Sequence, residues 1–241
     1  MNIKIIVATH KEYDLPNDEM YLPVFVGSAR SEKILPYQRD DEGDNISLKN
    51  NTYCELTGLY WAYKNLDAEA IGLNHYRRYF TGRKGLLKQT EAEYLLSSYP
   101  LILPKKRHYF IETVYEQFIH AHDKKVLDET RKVIKEFYPE YLESFDDVMK
   151  KRSLHLFNMF IMKKEIFDKY CDFLFNILFC LEKRVESTDR IFGFLSERLI
   201  DVFVSQNEIS YCELPVFNTE RTSWIPKITA FIKRKVFYRG N

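Results

Sequence analysis

Residues 70–80 read Ala-Ile-Gly-Leu-Asn-His-Tyr-Arg-Arg-Tyr-Phe, an apolar run of strand type that turns abruptly polar. Its polar end carries His75, Tyr76, Arg77 and Arg78. In an extended chain, alternation sends His75 and Arg77 to one side and Tyr76 and Arg78 to the other. A guanidinium presents five donors in a planar fork, a shape suited to carboxylate or phosphate. Open α/β sheets bind their ligands where strands discharge such groups at their C-terminal ends. Spacing alone fits an edge strand with solvated arginines equally well.

Three other places carry groups able to do chemistry. Residues 38–51 form a polar loop with four acids, Asp40, Asp41, Glu42 and Asp44. That loop is either a solvated connector or a carboxylate-bearing segment that holds a metal or a sugar, with Asp44 and Asn45 its most pointed side chains. Asn158 interrupts an otherwise apolar run at 155–162. Its amide needs a partner, either neighbouring backbone or a ligand. Glu197 and Arg198 lie side by side in a mainly apolar helical stretch, where a buried charge needs a partner. His120 and His122 are two residues apart, which on a helix places them on different faces and speaks against a metal pair.

The elements that must position these groups can be read from periodicity. Residues 3–8 are β-branched and suit a buried parallel strand that ends in Thr9-His10-Lys11. A second strand is expected at 21–26, weakened by Pro23. Thr52 and Glu55 have capping-box spacing, and Leu56, Leu59, Tyr60 and Tyr63 follow as a core-facing stripe, which predicts a helix over 52–66. That helix feeds a strand at 71–73, and together they deliver the His75–Arg78 tip. Further helices are expected at 91–98, 111–122, 124–137, 163–183 and 189–204, and further strands at 100–104, 155–162 and 211–216.

Composition narrows the class. A chain of 241 residues, 45% hydrophobic and 15% aromatic, supports one large domain with a packed core. Its 36 basic residues nearly cancel its 35 acidic ones, so no global field argues for nucleic acid. Cys54, Cys171, Cys180 and Cys212 are widely spaced, suggesting neither a zinc site nor a disulfide framework but a reducing, cytoplasmic setting. The N-terminal apolar run is too short for a signal peptide, and no stretch reaches the ~20 apolar residues of a membrane span. Residues 221–241 hold six basic residues and no acid, interleaved with Trp224, Phe231 and Phe237. This pattern suits a helix on an anionic membrane surface, at the inner face of the cell membrane, or else packing onto the domain or a protein partner.

Several of these motifs occur together in order. They are Gly43-Asp44-Asn45-Ile46-Ser47, the segment from Tyr53 to Trp61, the run from Gly72 to Phe80, the run from Phe157 to Met162, and Glu197-Arg198-Leu199. Together they resemble the bacterial glycosyltransferases of capsular and exopolysaccharide biosynthesis long filed as a domain of unknown function, over about residues 3–220. Some members of that family are assigned as galactofuranosyltransferases. The resemblance implies a single GT-A-like α/β domain at 1–220, with a central mostly parallel sheet, a helical C-terminal half and the basic tail beyond. It also implies transfer of a sugar from a nucleotide diphosphate donor, such as a UDP-sugar, to a lipid-linked glycan in capsule, exopolysaccharide or O-antigen synthesis.

Many GT-A enzymes hold a metal against the donor diphosphate with an Asp-x-Asp at a strand end. No such motif occurs here, and the corresponding strand ends in Asn74-His75-Tyr76-Arg77-Arg78. The resemblance therefore implies that His75, Tyr76, Arg77 and Arg78 meet the diphosphate, two guanidinium groups doing a divalent ion's work. Thr9, His10 and Asn45 join them on the donor side. No cofactor is required on this reading, with a divalent ion (Mn or Mg) near Asp44 as the alternative. Asn158 and Arg198 are expected at the sugar or acceptor. The acid–base residue is a choice among Asp44, Asp189 and Glu197. A different class, a non-catalytic nucleotide-sugar or glycan-binding subunit of an assembly complex, stays open beside the enzyme. A phosphate-handling hydrolase would need a metal cluster or nucleophile motif that the sequence does not display.

Overall fold

The structure, a computed structural model, describes residues 1–186 and 189–219. The basic segment 221–241 therefore lies outside the described residues. In chain order the first half contains β1 (Ile3–Thr9), β2 (Tyr21–Phe25), β3 (Gln38–Arg39), α1 (Asn50–Tyr53), α2 (Leu56–Asn65), β4 (Ala70–His75), β5 (Arg78–Gly82) and β6 (Gly85–Leu86). It continues with α3 (Gln89–Ser98), β7 (Leu101–Pro104), β8 (Arg107–His108), α4 (Val114–Ile119), α5 (Lys124–Phe137) and α6 (Leu142–Lys150). The last elements are β9 (Ser153–Leu154), β10 (Phe160–Lys163), α7 (Lys164–Glu182), α8 (Ile191–Gln206), β11 (Tyr211–Leu214) and β12 (Val216–Asn218).

The central sheet runs in the order β11-β7-β10-β4-β1-β2-β3. Every strand on that path points the same way except β10, which is antiparallel to both of its neighbours. After β1 the chain winds outward through β2 and β3, then crosses back to place β4 on the other side of β1. The crevice between the C-terminal ends of β1 and β4 is thus a topological switch point, where such sheets bind ligands. Pro23 is accommodated because β3 pairs only with Val24 and Phe25, which leaves Pro23 on a free edge.

Alternation along the strands splits the core into two layers. Ile6, Ala8, Ile71, Leu73, Phe160 and Met162 pack on one face against α2, α7 and α8. Ile5, Val7, Ala70, Ile102 and Ile161 pack on the other with Ala92 and Leu96 of α3. No helix among the described residues is long and apolar enough to cross a membrane.

Several local expectations are corrected. The helix expected over 52–66 is interrupted at Cys54, whose φ of 53° breaks it into α1 and α2. Thr52 does not cap it; its hydroxyl donates to the Lys49 carbonyl. The run 155–162 is not one strand, because Phe157 and Asn158 both take positive φ and turn the chain before β10. The run 70–80 reverses after β4, with His75 paired to Arg78 across a tight turn, so the simple alternation of its side chains does not hold. Helix α6 went unanticipated, and the expected helix at 111–122 shrinks to α4, which starts at a full Thr113–Glu116 capping box.

Candidate active site

Where β1 and β4 end, the chain builds a platform around Tyr76. The Tyr76 backbone N–H donates to the Ala8 carbonyl at 3.2 Å, which ties the β4 turn to the end of β1. The buried Tyr76 ring meets His10 edge-on at 5.4 Å and His75 at 4.4 Å. Two cations also lie over it, Lys11 at 4.9 Å and Arg77 at 5.2 Å. Thr9 turns inward: its hydroxyl donates to the Lys11 carbonyl at 2.6 Å and accepts the Lys11 N–H at 3.2 Å, so it shapes the His10–Lys11 turn.

His75 sits half-buried beside the two arginines. Burial, then the charges of Arg77 and Arg78, lower its pKa to about 3, which keeps the ring neutral near neutral pH. The Arg77 backbone N–H donates to His75 Nδ1 at 3.3 Å, so Nδ1 is the acceptor and Nε2 carries the proton. Arg78, paired with His75 across the turn, lays its guanidinium 4.2 Å over the Phe157 ring. Its Nε is buried without a hydrogen-bond partner. Burial lowers the Arg78 pKa, as does Arg77, whereas Glu197 and Glu55 favour its charge.

Those two carboxylates grip one turn. Asn158 Nδ2 donates to Glu55 Oε1 at 2.7 Å, and the Phe157 N–H donates to Glu197 Oε1 at 2.9 Å. Burial raises the Glu55 pKa, opposed first by the Asn158 hydrogen bond. Burial also raises that of Glu197, opposed first by Arg198, while the charge of Glu55 pushes it further up. Two carboxyl groups held above their ordinary range next to a cluster of arginines supply a proton acceptor and an anion site within one crevice.

Residues 4–208 match the family described as Domain of unknown function (DUF4422). The chain belongs to that family. The chain is also similar to the apo structure of WbbM, a bifunctional glycosyltransferase, with a TM-score of 0.84 and 25% identity. The match covers 92% of this chain and 46% of that one, so the DUF4422 chain spans about half of its neighbour's length. No curated protein matches. The fold is α/β and GT-A-like, with a mostly parallel central sheet.

Within this DUF4422 chain the predicted site residues divide into three groups. His10, His75, Tyr76, Arg77, Arg78 and Glu197 come together at the switch point, with Thr9 shaping the turn beneath them. Asn158 and Arg198 reach the same region but spend their side chains on the protein. Asn158 donates to Glu55 and to the Gly193 carbonyl and accepts from Ser196, so both of its N–H donors are used within the protein. Arg198 is buried, pairs with Glu197 at 3.1 Å, and donates to the Phe194 carbonyl and to Gln117.

Asp44 and Asn45 lie apart from the cluster, whereas Asp189 borders it beside Arg190, within electrostatic reach of the Cys54 thiol. Asp44 is anchored at the far end of α2, where its backbone exchanges hydrogen bonds with Asn65. Its carboxylate accepts from the Tyr60 hydroxyl of that helix. Asn45 closes its own loop by donating to the Asp41 and Gly43 carbonyls and accepting from Ser47. Asp189 is exposed at the approach to α8. No group of three or more His, Cys, Asp or Glu side chains able to hold a metal ion occurs among the described residues.

The sequence reading missed Glu55, Arg190 and Phe157 as members of the site. The Thr52–Glu55 spacing reads equally as a capping box, which disguises Glu55. Arg190, at a positive φ of 63°, hydrogen-bonds the Cys54 thiol and acts electrostatically on Glu55, His75 and Arg78. Nothing in its local sequence marks it.

Proposed function

We propose that this chain is a glycosyltransferase, a hexosyltransferase that moves a sugar from a UDP-sugar to a lipid-linked glycan during capsular, exopolysaccharide or O-antigen synthesis. Galactofuranose is the candidate sugar. Family membership and the likeness to WbbM support the reaction class. One observation carries the chemistry: Arg77, Arg78 and a neutral His75 converge at the end of β4, electrostatically coupled to Glu55 and Glu197.

In this reading the acceptor hydroxyl gives its proton to Glu55 as its oxygen bonds to the anomeric carbon. The bond from that carbon to the donor diphosphate breaks, and the electron pair leaves with the nucleoside diphosphate. Arg77 and Arg78 stabilise the charge that grows on the leaving group, and the Nε2–H of His75 offers a neutral donor to the same oxygens. Glu197 holds the Phe157 turn and sets the local charge balance. Glu55 is preferred as the base because Asn158 is the only side chain that hydrogen-bonds it among the described residues, whereas Glu197 is committed to Arg198. A divalent ion, as GT-A folds often use, is poorly matched by Asn74 and His75, the side chains that this strand end offers. The segment 221–241 would hold the chain at an anionic membrane.

The test is release of UDP from a panel of UDP-sugars, with and without acceptor, in a strong chelator. Turnover is expected to persist, and Arg77→Ala is expected to lose about 10³-fold or more. Donor binding without turnover would support the binding-subunit reading instead, and a strict requirement for divalent ions would redirect attention to the Asp44 loop.

A further inference from the structure

Beside the site, the structure carries an apolar tip set in basic residues. Phe110 is 90% exposed and Ile111, next to it in sequence, is 61% exposed. Lys105, Arg107, Lys151 and Arg152 are also exposed. Two backbone hydrogen bonds place them together: the Tyr109 N–H donates to the Arg152 carbonyl at 2.7 Å and the Val114 N–H to the Lys151 carbonyl at 2.8 Å. Strands β8 and β9 pair alongside, Arg107 opposite Leu154 and His108 opposite Ser153.

The nearby acids are already engaged. Glu112 meets His120, Glu116 caps α4, Asp146 pairs with Arg131 and Asp147 with Lys150. With the Asp146–Arg131 and Asp147–Lys150 pairs cancelling, the four exposed cations outweigh the carboxylates of Glu112 and Glu116, and the face is net cationic around a protruding Phe-Ile pair. We infer that this β8–β9 face docks on an anionic phospholipid bilayer, with Phe110 and Ile111 entering the headgroup–acyl boundary and Lys105, Arg107, Lys151 and Arg152 lying against the headgroups. An apolar wedge rimmed by cations is the chemistry of interfacial binding, and a nucleic acid would leave the wedge unused.

Its place in the fold gives this surface a purpose. Strand β7 runs in the same sense as β4, and Ile102 and Gly72 lie level across Ile161, so Lys105 leaves the sheet at the end where His75 sits. Strand β9 leads within three residues into Phe157 and Asn158, the turn held by Glu197 and Glu55. The proposal rests on the transferase reading only for its purpose: a lipid-linked acceptor embedded in that bilayer would reach the crevice from this side.

The experiment is sedimentation of the full chain with phosphatidylglycerol–phosphatidylcholine vesicles and with phosphatidylcholine vesicles alone. The variants are Phe110→Ser with Ile111→Ser, Lys105→Glu with Arg107→Glu, and, in the tail, Trp224→Ser with Phe231→Ser. Thermal melting of each variant confirms folding. The tip variant is expected to lose at least about tenfold in partitioning while the tail is intact, and the charge variant to lose the preference for anionic vesicles. Wild-type partitioning by the tip variant, equal binding to neutral vesicles, or no binding at all by the wild-type chain would overturn the inference. The readout is vesicle binding, so a chain that docks but turns over no UDP-sugar refutes the transferase reading and leaves the docking face standing.

Discussion

Glu55→Gln tests the site most sharply, because it separates function from architecture. The change removes one charge at almost constant volume. In the folded chain burial raises the Glu55 pKa above its ordinary 4.5. Its contribution to stability is therefore fully present below pH 4.5 and is lost as pH rises through the raised value. Above that window the wild-type chain holds an ionised carboxylate with little hydration. Glutamine avoids that cost but weakens the 2.7 Å bond from Asn158, exchanging a charged acceptor for a neutral one at about 1 kcal/mol. Relief from an incompletely compensated buried charge amounts to about 1–3 kcal/mol. The net is about 0–2 kcal/mol in favour of the variant, up to about 8 °C in Tm for a domain of this size. The advantage should appear once pH exceeds the raised value and vanish in acid, as read by thermal melting across the pH range. Turnover of UDP-sugar should fall about 10²–10⁴-fold. A variant that melts lower at every pH while activity falls in proportion would make Glu55 a structural anchor for Asn158 and refute the argument. So would activity within about tenfold of wild type.

Two further changes probe the frame. His75→Gln should flatten the acid limb of stability: the His75 pKa is lowered from 6.5 to about 3, so its contribution is present above pH 6.5 and lost as pH falls toward 3. Melting temperatures of wild type and variant should converge through that window, and parallel curves would show that the imidazole is not desolvated as described. Gly72→Ala should destabilise the sheet, since its Cβ would lie 2.8 Å from the Phe160 carbonyl and 3.1 Å from Ile161 Cγ1 and Ile5 Cγ1. The cost is about 1–3 kcal/mol, and an unchanged denaturant midpoint would mean that β10 shifts freely.

How far the site could be read in advance depends on how local each signal was. Strands β1 and β4 and helices α7 and α8 announce themselves through β-branched runs and helical stripes, and the polar groups at the ends of β1 and β4 follow from them. The Arg-Arg pair was legible by residue type, but its direction was not: a one-residue difference in where β4 ends decides whether Arg78 continues the strand or returns beside His75. Glu55 was hidden by a competing local rule. Thr-x-x-Glu is a sound capping box on paper, and only the positive φ of Cys54, which no residue preference signals, breaks the helix and turns Glu55 toward the crevice. Asn158 carried a usable clue, since asparagine tolerates the left-handed region better than most residues and so favours a turn over a strand. The remaining information is long-range. Glu55 meets Asn158 across 103 residues and Glu197 meets Phe157 across 40, so the two carboxylates share a turn only once β4, β10 and α8 have packed. A carboxylate's candidacy as a base is set by that packing, through what it hydrogen-bonds and what shields it from water. Asp44, the most pointed acid in its own loop, and Glu55, inconspicuous in its helix, exchange standing for that physical reason.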